Sequence, residues 1–97
     1  MSDAKIKIIA EAVCTVLRRK GYFTSRDVYE IVKRHRWFKR KSLGSIANFI
    51  SKHSFEISNH VEEEGLRYVR VYWDDDLDYV LSRHKEDIQH NLQEGEF

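Results

Sequence analysis

The sequence predicts an α+β fold: a three-helix core, a two-stranded antiparallel ribbon, and one further helix at the C-terminus. Three observations carry that prediction. Apolar residues recur at helical spacing in three segments before residue 53, the period drops to two over residues 55–73, and helical spacing returns from residue 77. Ninety-seven residues suit one compact unit with a modest core, and 41% apolar with 34% charged residues and no Pro describes a secondary-structure-rich globule.

In the first segment, Ile6, Ile9, Ala10, Val13, Val16 and Leu17 share one helical stripe. Arg18, Arg19 and Lys20 fall in the last turn, where cations suit the helix dipole, and Gly21 ends the helix. Tyr22 and Phe23 form a short β-prone piece. Thr24 then caps a second helix, from about Ser25 to His35, with Asp27 in the reciprocal capping-box position. Its inward stripe is Val28, Ile31 and Val32.

Residues 36–41 form a strongly basic link. Ser42 is the expected N-cap of a third helix over residues 42–53, whose inward stripe is Leu43, Ile46, Ala47, Phe49 and Ile50. Gly44, Ser45, Asn48, Ser51 and Lys52 are left facing outward. Beyond it, Phe55, Ile57, Asn59 and Val61 alternate with Glu56, Ser58 and His60, and Val69, Val71 and Trp73 alternate with Tyr68, Arg70 and Tyr72. Glu62, Glu63, Glu64 and Gly65 make the short connection of a hairpin.

Asp74, Asp75 and Asp76 are expected to cap the last helix, on which Leu77, Leu81, His84, Ile88 and Leu92 step by four, three, four and four residues. That spacing is close to a coiled-coil seam, so the helix either closes over its own core or pairs with a second copy. Residues 93–97 carry no periodic signal.

The net charge of +1 conceals a strong asymmetry. Residues 1–73 hold 15 Lys/Arg against 8 Asp/Glu, a net of +7; residues 74–97 hold 2 against 8, a net of −6. A basic body of this kind suits a polyanionic partner. The lone Cys14 excludes an intrachain disulfide and a multi-cysteine metal site, and the absence of any long apolar run makes a cytoplasmic location, without membrane insertion, the expectation.

His35, His53, His60, His84 and His90 form no tight ligand pair with a second acidic or sulfur ligand, so neither a metal nor another cofactor is expected. The acidic cluster at residues 74–78 lacks Ca²⁺-loop spacing. No phosphate-binding glycine loop, zincin pair or nucleophile elbow is present, and the chain is not expected to be an enzyme or to take a small-molecule substrate.

The richest stretch is residues 37–53. Lys39, Arg40 and Lys41 lie directly before the third helix, where backbone N–H groups and the dipole also favour phosphate. Ser42, Ser45, Asn48 and Ser51 are small hydrogen-bonding groups able to enter a groove, with Asn48 suited to adenine, and Lys52 suits a phosphate. Trp37 and Phe38 are expected to anchor the link in the core.

The element order of helix, short strand, two helices and a ribbon resembles the winged-helix family over residues 5–73, and small archaeal and archaeal-virus regulators are most similar in size and layout. The resemblance rests on residues 21–28, the helix at 42–53 and the hairpin at 55–73. It implies a recognition helix at 42–53 in the major groove of double-stranded DNA and a wing at 55–73. The tip Glu62, Glu63 and Glu64 is acidic where a DNA-contacting wing is basic, which leaves wing contacts to Arg67 and Arg70. On this reading residues 1–73 form the DNA-binding unit of a homodimeric transcriptional regulator, and residues 74–97 carry the dimer seam, Leu77, Leu81, His84, Ile88 and Leu92. The alternative is a protein-interaction module of a transcription, replication or membrane-remodelling assembly, its partner meeting the acidic tip or the Tyr68 and Tyr72 face.

Overall fold

Six helices make up the computed structural model, which describes residues 2–71 and 77–94. They are α1 (Ser2–Lys20), α2 (Ser25–Val32), α3 (Leu43–Lys52), α4 (Ser54–Glu63), α5 (Leu77–Arg83) and α6 (Lys85–Glu94). α1 is the hub: α2, α4 and α6 all pack against it, and α3 packs on α2 and α4. Its stripe of Ile9, Val13 and Leu17 is fully buried, as are Val28 of α2, Ile50 of α3, and Ile57 and Val61 of α4. Each such side chain contributes roughly 1.5–3 kcal/mol of burial.

The first three helices follow the predicted signals closely. Gly21 stops α1 at φ 81°, a conformation that disfavours any side chain, and its N–H donates to Leu17 O. Thr24 caps α2 by accepting from the Asp27 N–H, while Asp27 accepts from the Thr24 N–H. Asp27 also holds Lys20 at 3.0 Å, tying the end of α1 to the start of α2. α2 ends at Val32, short of His35, and residues 33–40 continue as turns that bury Phe38 beneath them. Ser42 caps α3 by accepting from the Ser45 N–H.

The α+β expectation fails after residue 53. Among the described residues there is no strand and no sheet, and the predicted first strand of the hairpin is helix α4. The physical reason lies in the spacing of Ile57 and Val61. Four residues apart, they satisfy a period of two and also the i, i+4 step of a helix; the structure buries both completely while leaving Phe55 75% exposed. A strand would have turned all three to one side.

The acidic tip of the supposed wing is therefore the C-terminal turn of α4. Gly65, at φ 80°, closes it with a Schellman motif: the Leu66 N–H donates to Val61 O and the Gly65 N–H to Glu62 O. Leu66 and Val61 are both buried at that closure.

The predicted second strand is reduced to a single bridge, and its partner differs. Val69 O accepts from the Phe23 N–H at 3.0 Å and the Val71 N–H donates to Phe23 O at 2.8 Å, forming one isolated parallel bridge between Phe23 and Arg70. Val69 and Val71 point inward, in keeping with their alternation. Tyr72, Trp73 and the capping residues Asp74, Asp75 and Asp76 lie outside the described residues.

The single C-terminal helix of the prediction is two helices with a turn at His84, and helical structure continues through residues 93 and 94. α6 lies back on α1, so residues 85–94 share the core of the preceding body. The point of contact is Gly21, where a Cβ would fall 2.6 Å from both Cγ2 and the carbonyl O of Ile88. No helix is long and apolar enough to cross a membrane among the described residues.

Candidate nucleic-acid interface

From residue 31 to residue 55 the chain holds seven Lys/Arg and no Asp or Glu. The turns between α2 and α3 carry most of them. Lys39, Arg40 and Lys41 are all exposed, as are Arg34 and Arg36, while Phe38 beneath them is 2% exposed and fixes the link to the core. A short hydrogen-bonded path, Phe38 N–H and Lys39 N–H to His35 O and Lys41 N–H to Phe38 O, shapes the turn. The cations are thus mounted on ordered backbone.

α3 rises directly from this turn. Ile46 and Ile50 face the core, and Gly44, Ser45, Asn48, Ser51 and Lys52 face solvent. Ser42 is engaged twice, accepting from the Ser45 N–H and donating to Ser45 Oγ at 3.2 Å. The first-turn N–H groups of Leu43 and Gly44 have no acceptor within the helix, which makes this end attractive to an anion.

Arg70 joins this face although it stands far away in sequence. Its guanidinium donates to Ser51 Oγ at 3.0 Å, to Ser25 Oγ at 3.2 Å and to Ala47 O at 3.4 Å, clamping the start of α2 to the outer side of α3. The wing role expected for Arg70 has no wing to support it. Its position beside Ser51 puts it at the same surface through a different geometry.

Arg67 is exposed but belongs to another neighbourhood. Its backbone is gripped by Asn91 of α6, whose Oδ1 accepts from the Arg67 N–H at 2.7 Å and whose Nδ2 donates to Arg67 O at 2.9 Å. As a wing contact Arg67 is likewise without its hairpin.

No family model, curated protein or solved structure matches this chain.

The residues of the predicted dimer seam are dispersed. The side chain of Leu77 is outside the described set, Leu81 is half-buried, and His84 sits at the break, 3.6 Å from Asp87. Ile88 is turned in against Gly21, and Leu92 is 38% exposed. A continuous seam needs one uninterrupted helix, and the turn at His84 removes it.

Asn91 is a structural residue that the sequence concealed. It is fully buried, and its amide also donates to Gly21 O at 3.0 Å. Nothing in its surroundings, between His90 and Leu92, distinguishes it from a solvated helix residue. Arg70, by contrast, carried a signal: a lone cation alternating with Val69 and Val71, on the side of the segment away from the core.

Proposed function

We propose that the protein binds double-stranded DNA, as a transcriptional regulator, through the turn at residues 36–41 and the outer face of α3. One observation carries this: the acid-free run of cations leads without a gap into an exposed helical face of small hydrogen-bonding groups. Lys39, Arg40 and Lys41 supply phosphate contacts that fix position, with Lys52 at the far end of α3. Ser45 and Asn48 are the groups that reach base edges, and Asn48 suits the paired donor and acceptor of adenine.

The loss of the wing strengthens the demand on this surface. Glu62, Glu63 and Glu64 end α4, where Glu64 pairs with Arg18 at 3.2 Å. We propose further that the binding unit is a single copy, since Ile88 and Asn91 of α6 are turned onto the chain's own core. Binding of random-sequence duplex DNA, followed by selection and sequencing of the retained fraction, tests the reading. Affinity that falls steeply with salt, and one undivided sequence motif, are expected; salt-insensitive or absent binding removes it.

A second reading keeps one supporting observation. Phe55 stands 75% exposed on α4 beside Glu56, a combination suited to a protein partner with a basic, apolar contact surface. Loss of a captured partner on Phe55→Ser, with DNA binding intact, is the result that this reading requires.

A further inference from the structure

Both Trp37 and Phe38 are predicted to anchor the link, yet the structure separates them. Phe38 is 2% exposed, whereas Trp37 keeps 37% of its surface in solvent. Between them and Phe49 of α3 lies a depression of about 140 Å³, rimmed by Lys5 of α1, Lys41 and Ser45. The volume is close to that of a cavity filled by one six-membered aromatic ring.

Its chemistry is specific. Three aromatic side chains supply π-faces and edges, with Phe38 and Phe49 set edge-on at 6.2 Å and 80°. Lys5 and Lys41 supply two ammonium groups, and neither makes an ion pair with a carboxylate among the described residues. Ser45 adds a hydroxyl. A flat aromatic ligand with an adjoining anion matches that set, and a paired base inside a duplex offers no free face to it.

We propose that this depression receives one unstacked nucleotide, its base against Trp37 and Phe49 and its phosphate on Lys5 and Lys41. The inference rests on the DNA-binding reading for its source of nucleotide, since Lys41 and Ser45 belong to both surfaces. It extends the interface from α3 onto the first turns of α1, and it gives the protein a preference for duplex that carries an unpaired nucleotide. A strand end and a free mononucleotide present the same chemistry.

The full chain carrying Trp73→Phe retains Trp37 as its one tryptophan. Three probes are compared: a blunt duplex, the same duplex with one unpaired nucleotide at either end, and a free deoxynucleoside monophosphate. Affinity is read from the anisotropy of labelled DNA and occupancy of the depression from Trp37 emission. The overhanging duplex is expected to bind on the order of tenfold tighter than the blunt one and to quench Trp37. In the otherwise unchanged chain, Trp37→Ala should abolish that tenfold difference, read as the ratio of overhanging to blunt affinity of the same variant, and Lys5→Glu should reduce it without touching the aromatic wall.

Quenching by the mononucleotide at comparable concentration supports the depression and identifies free nucleotide as its source, even where no duplex binds and the DNA-binding reading fails. Salt-dependent binding of the blunt duplex with no overhang preference and no quenching overturns the depression and leaves the DNA-binding reading standing. Absence of both overturns both.

Discussion

Asn91 of α6 donates its side-chain amide to the carbonyl of Gly21 at 3.0 Å, joining the last helix to the residue that ends the first. The same side chain accepts from the Arg67 N–H and donates to the Arg67 carbonyl. One buried amide therefore fixes three separate parts of the chain, and a helix that could have been a free appendage becomes part of the core.

Asn91→Ala should destabilise the protein by about 2 to 3 kcal/mol, because Gly21 O and the Arg67 backbone lose their partner inside the fold. Urea denaturation followed by circular dichroism gives the value. A change below about 0.5 kcal/mol, the range of an ordinary surface substitution, would show that α6 is not docked through this residue.

The two left-handed glycines provide a matched comparison. Gly65→Ala meets nothing within 4 Å, so it should cost only the backbone strain of about 1 kcal/mol. Gly21→Ala adds the collision with the Ile88 backbone and should cost about 3 kcal/mol. Equal losses in thermal melts of the two variants would place α6 elsewhere.

Whether residues 54–63 are helix or strand is decided by Phe55 and Ile57. On a strand both face inward and both truncations damage the core. On α4, Ile57→Ala should cost about 2 to 4 kcal/mol and Phe55→Ala well under 1 kcal/mol. The contrast also shows why this part of the fold was illegible. A pair at i, i+4 is even-numbered, so alternation and helix coincide at Ile57 and Val61, and only the burial of Phe55 separates them. The elements with local stop and start chemistry, Gly21, the Thr24–Asp27 box and the Ser42 cap, were legible because their signals act within four residues. The exposed face of α3 followed from the same local register. The clamp of Arg70 on Ser25, Ala47 and Ser51, and the bond from Asn91 to Gly21, join residues far apart in sequence, which periodicity does not encode.

Cys14 tests the burial of α1 chemically. It is 2% exposed, and burial pushes its thiol up to about 11. At pH 8 iodoacetamide should leave it unmodified in the folded protein and alkylate it after denaturation, as mass spectrometry would show. The folded state holds this proton more tightly than the unfolded chain, so the associated stability is complete below about 9 and is lost as pH rises through about 11. Lys20 shifts the same way: burial opposes its charge, but the hydrogen bond and charge of Asp27 prevail and raise its pKa. Relative to Cys14→Ala, the parent protein should lose stability across that alkaline window.

Light scattering over a range of concentrations should return the mass of one chain, 11.6 kDa. The ground for this is the use of Ile88 and Asn91 within the chain. A dimer mass would require a surface other than the broken seam, and α5 with Tyr79, 66% exposed, would be the place to mutate first.

The sharpest test of the DNA surface compares charges that differ only in how they are held. Lys39→Ala, Arg40→Ala and Lys41→Ala remove exposed cations without buried partners, so each should leave stability unchanged and lower the slope of log affinity against log salt by about one. Asn48→Ala should weaken binding to the selected sequence by about 1 to 3 kcal/mol while sparing random duplex, the signature of a base contact. Arg70 is bound to α2 and α3 by three hydrogen bonds, so Arg70→Ala should lower both affinity and melting temperature. If the three turn variants bind with the parent slope while Arg70→Ala fails only through instability, the turn is not the contact surface, and Lys39, Arg40 and Lys41 serve solubility alone.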